Sequence, residues 1–272
     1  MLAAPTNFRE PPVTMPIAQA LADHASTQIV PALAIVAVTL VFFALERRFS
    51  GRTLPTSPGW LARALAMNLI QLGLIGLGGL TWNRAFRGHS LFHLAPTLPA
   101  IAQGALFWFA GTFVFYWWHR LRHADGFWRV LHQLHHSPSR IELLTSFYKH
   151  PVEMVADSVI TGALVYCVCG GSAEAGAWTS FFGAAGEYFY HSNIRTPRWV
   201  GWFLQRPEHH SIHHAVDVHR YNYGDITWWD RLFGTFIESD GFAAECGFTD
   251  EREQRWRDML LFRDVHAAPR AR

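Results

Sequence analysis

Residues 106–123 read LFWFAGTFVFYWWHRLRH, and this stretch decides the class of fold. Its apolar part closes a run of 32 uncharged residues between Arg87 and Arg120. A bilayer core takes about 20 apolar residues as a helix, so the run is long enough to span a membrane. The apolar sequence passes directly into His119 and His123, which stand at positions i and i+4. The stretch therefore predicts a membrane helix that ends in paired imidazoles.

Two uncharged runs upstream predict further membrane helices. There are 22 uncharged residues between Asp23 and Glu46, and 20 between Arg63 and Arg84. Downstream, two shorter apolar segments of 16 and 12 residues predict a helical hairpin over residues 152–191. The hairpin legs either span the bilayer or enter only part of it. We expect an all-α integral membrane bundle of three long membrane helices plus this hairpin, with a His-rich helical cap on the cytoplasmic side.

The composition supports a membrane protein. Half of the residues are hydrophobic and 16% are charged, against about 25% charged residues in a typical soluble domain. Abundant aromatic residues argue against a disordered chain, and three cysteines argue against a disulfide scaffold. A net charge of +2 without a single basic stripe argues against nucleic-acid binding. The remaining alternative is a soluble protein with buried helices, which three separate runs of bilayer length disfavour.

Basic residues predict the orientation of the bundle, because cytoplasmic loops carry an excess of Lys and Arg. Arg47, Arg48 and Arg52 follow the first run, and Arg120 with Arg122 closes the third. We therefore expect the His-rich end to face the cytoplasm. The chain has 22 Arg and one Lys, which is typical of a GC-rich bacterial genome and predicts the bacterial inner membrane. The predicted division is an N-terminal tail 1–28, membrane helices 29–118, a His-rich region 119–238 including the hairpin, and a C-terminal cytoplasmic tail 239–272.

The histidines are clustered at regular spacing. The chain has 16 of them, and HxxHH occurs at 132–136 and again at 210–214. Positions three and four apart share a face of a helix, so each box is expected to aim two or three imidazoles in the same direction. Neutral imidazole is the commonest protein metal ligand, and an all-imidazole set suits iron, copper or zinc. Nine nitrogens are enough for two metals. The candidate ligands are His119, His123, His132, His135, His136, His191, His210, His213 and His214.

With these boxes the sequence resembles the fatty acid hydroxylase / sterol desaturase superfamily of integral-membrane enzymes. The matching text lies between Tyr116 and Phe236: YWWHRLRH, FWRVLHQLHHS, KHPVE, HSNI, HHSIHH and NYGDITWWDRLFGTF. The resemblance implies that residues 119–238 form a catalytic region in which the nine histidines hold two iron ions. It also implies O2 as co-substrate and a lipid as substrate.

The resemblance predicts an oxidoreductase that hydroxylates or desaturates a C–H bond of a fatty acyl, sterol, hopanoid or related lipid. The sequence contains no GxGxxG and no HPGG motif, so we expect a separate electron-transfer protein or reductase as external electron donor. One alternative is a His-rich membrane metal-binding or transport protein without oxygenase activity, which predicts ionisable residues at the middle of the helices. Another is a catalytically silent lipid-binding protein, which predicts eroded boxes.

One position departs from the family pattern. Some members have an HxxxH box where this chain has Glu187 followed, four positions later, by His191. Glu187 either ligates a metal, hydrogen-bonds a ligating histidine, or does neither. His209 is expected to face away from the boxes, since adjacent helical residues diverge by about 100°. Other neighbours are possible additional ligands or supporting groups: His150, which is also expected to start the hairpin, Asn193 and His219.

Overall fold

Long apolar helices build the molecule. The computed structural model describes residues 17–94, 96–218, 220–249 and 251–267, and this part of the chain contains helices and three isolated β-bridges but no β-strand. The all-α expectation is therefore confirmed. The helices are α1 Ile17–Arg48, α2 Trp60–Leu80, α3 Trp82–Phe86, α4 Ala100–Arg122, α5 Asp125–Phe127, α6 Gln133–His136, α7 Pro151–Gly162, α8 Ala173–His191, α9 Pro207–His213, α10 Thr227–Leu232 and α11 Trp256–Leu260.

Four helical segments in the described residues are long and apolar enough to cross a membrane. Three of them, Gln28–Arg48, Trp60–Phe86 and Ala100–Arg122, correspond to the three predicted membrane helices. The fourth, Pro151–Val168, is the first leg of the hairpin, which the sequence left marginal. The uncharged run of this leg begins only after Asp157, but the helix includes Asp157. Its carboxylate is tolerated there because Lys149 and Arg122 lie beside it inside the protein.

The first helix is longer than its apolar part. α1 begins at Ile17, before the predicted start of the first membrane helix at residue 29. Residues 17–27 are IAQALADHAST, and Ala, Leu and Gln are strong helix formers. The helix therefore continues upstream from the segment that is long and apolar enough to span.

The hairpin reaches the end of the bundle opposite the histidines. At its tip, backbone N–H groups of Leu91 and Leu94 donate to the carbonyls of Cys167 and Cys169, at 2.7 and 3.0 Å. Residues 91–94 belong to the loop that precedes α4, whose other end carries His119. The hairpin legs therefore extend from the level of the histidines to the level of this loop.

Helix α8 lies between α1 and α4 and runs parallel to α4. Gly104 of α4 faces Trp178 of α8, and one turn further along both helices the rings of Trp108 and Phe182 are 6.1 Å apart. Because α4 and α8 advance together, their ends at His119 and His191 arrive at the same end of the bundle. This packing places two of the candidate ligand segments side by side.

We expect Gly104→Ala to lower the thermal stability of the protein. A Cβ at this position would collide with Trp178 and lie 2.9 Å from the backbone nitrogen of Thr179, and overpacking of this kind costs about 1–3 kcal/mol. The matched control is Gly73→Ala on α2, where a Cβ meets nothing within 4 Å. There the substitution removes backbone entropy from the unfolded chain and stabilises by about 0.5–1 kcal/mol. Melting temperatures of the detergent-purified variants test the contrast, and equal shifts would contradict the close α4–α8 contact.

Candidate metal centre

The nine candidate histidines lie together in two groups. The side-chain nitrogens within each group are all within 4.8 Å of one another. Eight of the nine side chains are buried, and His123 is half-buried. The five-His group is His119, His123, His132, His136 and His213, and the four-His group is His135, His191, His210 and His214.

The two HxxHH boxes are divided between the groups by a simple rule. Residues at i and i+4 stay together, as His132 and His136 do in the five-His group. The residue at i+3 joins the other group, as His135 does. Of the two or three imidazoles expected to point the same way, each HxxHH box therefore directs two into one group and the third into the other. Successive helical residues are rotated by about 100°, so the adjacent histidines that end each box point toward different groups.

The elements that carry the boxes explain how the groups form. His119 lies in the last turn of α4, and His191 is the last residue of α8. The second box begins in a π-helical turn, Trp128–His132, and ends in α6. The third box is on α9, which starts with Pro207 at its first turn, a position where the missing N–H of proline has no helical partner to lose. Two long helices, α4 and α8, and two short helices thus meet at one place.

Nitrogen atoms in the four-His group converge at the spacing of metal ligands. The Nε2 atom of His191 lies 3.3 Å from that of His135 and 3.2 Å from that of His210. The Nε2 atoms of His210 and His214 are also 3.2 Å apart. Ligands about 2.0–2.1 Å from one ion lie about 3.0–3.4 Å from each other in tetrahedral or octahedral geometry. The residues therefore fit a bound metal ion.

The outer nitrogens of several histidines are held by oxygen atoms. Nδ1–H of His119 donates to the carbonyl of Tyr223 at 2.8 Å, and Nδ1–H of His213 donates to that of Tyr221 at 2.7 Å. Nδ1–H of His191 donates to the carbonyl of Glu187 at 2.9 Å. A hydrogen bond of this kind fixes the tautomer and leaves Nε2 as the lone-pair donor to a metal.

Burial favours the neutral form of four of these imidazoles. Burial, reinforced by neighbouring histidines, lowers the pKa of four imidazoles well below the usual value near 6.5: His135, His136, His210 and His214. Only the neutral ring has a lone pair for a metal. The site is therefore already in its metal-binding protonation state.

A chain of buried charges runs from one group to the other. Glu153 accepts hydrogen bonds from His132 of the five-His group at 3.0 Å and from Arg122 at 2.5 Å. Arg122 lies 3.8 Å from Asp157, which is 3.5 Å from the ammonium of Lys149. The next carboxylate, Glu187, completes the chain beside the four-His group. The roles of Arg122, Lys149 and Asp157 could not be predicted from the sequence, because pairs this far apart in the chain leave no local signal.

Glu187 lies next to the four-His group rather than among its converging nitrogens. Lys149 donates to its Oε1 atom at 2.7 Å, while its Oε2 atom lies 3.4 Å from Nδ1 of His191. Since Nδ1–H of His191 donates to the backbone carbonyl of Glu187, the side-chain carboxylate acts on this histidine as a nearby negative charge. A full ion pair with Lys149 also disfavours direct ligation.

We expect Lys149→Met to destabilise the protein strongly. Lys149 is the single lysine of the chain and is 4% exposed, and its loss leaves the Glu187 carboxylate without its paired cation while Asp157 keeps Arg122. Removing one partner of a buried pair costs about 3–5 kcal/mol. The control is Arg263→Met, which breaks an exposed ion pair with Asp258 worth about 1 kcal/mol or less. Thermal unfolding of both variants measures the difference, and equal melting temperatures would contradict the role of Lys149.

Three of the neighbouring residues make hydrogen bonds outside the two His groups. His150 caps α7, accepting a hydrogen bond from the N–H of Val152 at 3.2 Å, as its predicted place at the hairpin start suggested. His209 is fully buried but faces Glu238 at 2.8 Å and belongs to neither group. Asn193 donates to Ser50 and to the carbonyl of Arg52, which ties the end of α8 to the end of α1. His219 lies outside the described residues.

Asp230 supports the site from one step further away. It accepts hydrogen bonds from the backbone N–H groups of Tyr223 and Gly224 at 2.8 and 2.7 Å, and from the hydroxyl of Thr235. The carbonyl of Tyr223 is the acceptor for His119. The turn that Asp230 stabilises therefore positions this ligand candidate.

Comparison with known proteins supports the family resemblance. Residues 104–235 match the family model of the fatty acid hydroxylase. This segment contains both His groups and the Asp230 turn. The match supports the resemblance to the fatty acid hydroxylase / sterol desaturase superfamily.

Several curated relatives are lipid enzymes by name. The chain is 27% identical to an alkylglycerol monooxygenase of Xenopus tropicalis over 46% of its own length and 28% of that protein. It is 28% identical to a sphinganine C4-monooxygenase of Arabidopsis thaliana over 47% of its length and 54% of that protein. It is 26% identical to a C-4 methylsterol oxidase of Schizosaccharomyces pombe over 55% of its length and 52% of that protein. The chain thus spans about half or less of these relatives' length. No solved structure matches the chain.

Proposed function

We propose that this protein is a membrane-bound, O2-dependent di-iron oxidoreductase that hydroxylates or desaturates a C–H bond of a lipid. The observation that carries the proposal is the pair of buried imidazole groups at one end of a bundle of apolar helices. The family supplies the chemical class, and its relatives named above act on lipids. Substrate candidates are fatty acyl, sterol, hopanoid or related lipids.

The nine histidines would hold two iron ions, one in each group. Such a redox metal pair supplies the activation of O2 that no protein side chain provides. The protein's own contribution is orientation: carbonyls and carboxylates fix the Nδ1 protons so that Nε2 faces the group interior. Burial of the groups excludes water from the reacting site, and the chain of charges from Glu153 to Glu187 holds both groups in one rigid frame.

The position of the groups suits a substrate delivered from the membrane. His119 lies in the last turn of a candidate membrane span, and His191 ends the helix packed beside it. A lipid in the bilayer can therefore bring its chain to the metals without leaving the hydrocarbon layer. We propose an integral protein of a bacterial inner membrane with the His groups on the cytoplasmic side, where a separate electron-transfer protein or reductase delivers electrons.

Metal transport, the alternative function, requires ionisable side chains along the middle of the membrane helices. In the described spans the charged residues lie near the ends. Glu153 and Asp157 lie within the first two turns of α7, beside the His groups. This distribution supports a fixed metal centre over a path across the membrane.

Metal analysis combined with a lipid assay tests the proposed function. We expect purified protein to contain two irons per chain. With a reductant, ¹⁸O2 and a bacterial lipid extract, we expect it to produce an ¹⁸O-labelled lipid or, for desaturation, a lipid two mass units lighter. Lipid analysis of a strain lacking the protein should show the same product missing. Iron-loaded protein that leaves every lipid class unchanged, in vitro and in the strain comparison, would contradict the proposal.

A further inference from the structure

A cluster of large apolar side chains is exposed beside the His-rich end. It consists of Trp199, Trp202, Phe203, Trp228 and Leu232, which we call the 199–232 patch. Trp202 and Leu232 are 71% and 67% exposed. Contiguous apolar surface of this kind marks a contact with another apolar phase, and Trp is enriched where proteins meet the membrane interface.

The patch is joined to the membrane face of α4. Exposed aromatic residues form a stripe along α4, and α10 lies beside this stripe. The ring centroids of Phe109 and Trp228 are 6.1 Å apart, and those of Trp117 and Phe233 are 4.8 Å apart. Since α4 is a candidate span, the patch extends a surface that already faces lipid.

The contacts also set the depth of the patch. Phe109 lies 13 residues before the end of α4 at Arg122, which is about 20 Å along a helix that rises about 1.5 Å per residue. Trp228, in the first turn of α10, therefore lies well inside the part of α4 that would cross the bilayer. Phe203 is at the same level, because Phe203 and Trp228 have ring centroids 6.0 Å apart.

Several backbone groups of these segments are paired within the protein, as a lipid environment requires. The backbone N–H of Gln205 donates to the carbonyl of Asp225 at 2.9 Å, and that of Thr227 donates to the carbonyl of Phe203 at 3.1 Å. The indole N–H of Trp228 donates to the carbonyl of Trp202 at 2.9 Å. Irregular backbone can enter the bilayer only with such internal partners.

Charged residues border the patch on one side. Arg198 pairs with Asp240 at 3.0 Å, and Arg231 lies 3.7 Å from Glu238. Arg198, Arg231 and Glu238 share a surface pocket with Trp202. Arginine beside interfacial tryptophan is the pattern expected at the level of lipid headgroups.

We propose that the 199–232 patch is inserted into the membrane leaflet on the His-group side, with acyl chains covering its apolar side chains and the Arg198–Arg231 border at the headgroups. The part of the chain that carries the 199–232 patch is then not held in water above the membrane. It is a monotopic element anchored in one leaflet alongside α4.

Spin labelling tests the insertion. A nitroxide is attached at Leu232→Cys, in protein whose three cysteines are replaced by Ala and which is reconstituted into phosphatidylethanolamine–phosphatidylglycerol vesicles. Collision with O2, which concentrates in lipid, is compared with collision with a water-soluble nickel chelate. We expect the ratio of O2 to chelate accessibility at Leu232 to resemble that at a lipid-facing control. That control is Leu69→Cys on α2, where the leucine is also 67% exposed.

The water-facing control is Ala244→Cys, at an exposed position away from the patch, where we expect a ratio several-fold lower. A chelate-dominated ratio at Leu232 would overturn the proposal, because the patch would then face water. Low accessibility to both reagents would overturn it as well, because a second copy or another protein would then cover the patch.

A measurement without cysteine changes gives an independent test. Brominated lipids quench tryptophan within the acyl region, so Trp202→Phe should remove part of the quenched fluorescence of the protein. Trp60→Phe is the control, since Trp60 is 5% exposed and belongs to the core. Equal quenching curves for wild-type protein and Trp202→Phe would contradict insertion.

Discussion

Replacing His136 by Ala is expected to remove the metal of the five-His group and leave one metal per chain, while His135→Ala is expected to do the same to the four-His group. The two residues are adjacent but belong to different groups. Loss of a residue that hydrogen-bonds a metal ligand already lowers metal affinity by about 10–100-fold. Loss of a ligand itself should therefore lower lipid oxidation by more than about 100-fold in both variants. Iron analysis of the purified proteins measures the stoichiometry.

The two variants should differ in which metal remains, and spectroscopy of the residual iron should distinguish them. His209→Ala is the control, because His209 precedes His210 directly and is equally buried, yet bonds Glu238 instead of either group. We expect this control to keep two irons. Two irons in His136→Ala, or loss of iron in His209→Ala alone, would show that the division into two groups is incorrect.

Glu153→Gln is expected to weaken metal binding in the five-His group about 10–100-fold, the usual effect of losing a carboxylate behind a ligating histidine. Glu153 is fully buried and accepts from both His132 and Arg122. The amide keeps the shape but removes the charge that holds the imidazole proton. Competition with a chelator, followed by iron analysis, measures the change in affinity.

The reciprocal variant is Glu187→Gln. In the wild-type protein the carboxylate of Glu187 lies beside His191 of the four-His group. We expect Glu153→Gln to release its iron first from the five-His group and Glu187→Gln from the other. Variants that lose the same iron would contradict separate support of the two groups. Unfolding is a distinct outcome, and circular dichroism of the metal-free proteins identifies it.

The long helices and the nine histidines that cluster could be predicted from the sequence. Apolar runs of bilayer length and repeated HxxHH spacing are local signals, and both survive in the structure as spans and as the two groups. The hairpin leg was harder to predict, because Glu153 and Asp157 interrupt its apolar run and their partners come from other parts of the chain.

The division of the histidines into two groups depends on the rotation between adjacent helical residues, which the spacing of the boxes does not reveal. Grouping i, i+3 and i+4 as one face is adequate for a broad apolar stripe, but a metal distinguishes directions about 100° apart. His135 and His136 therefore serve different groups. The support from Lys149 and Arg122 could not be predicted, since it arises only when α4, α7 and α8 pack together.

Each His-His dipeptide contributes one histidine to each group. A single peptide bond therefore links the two proposed metal positions. Neighbouring Cα atoms are about 3.8 Å apart across a trans peptide, and the ring centroids of His135–His136 and His213–His214 are 5.5 and 5.3 Å apart. Each dipeptide therefore fixes the distance between the Cα atoms of one histidine from each group. This interval stays the same if substrate binding shifts the surrounding helices. Different lipids would then meet the same metal pair, and selectivity among them would have to reside in the walls of their approach.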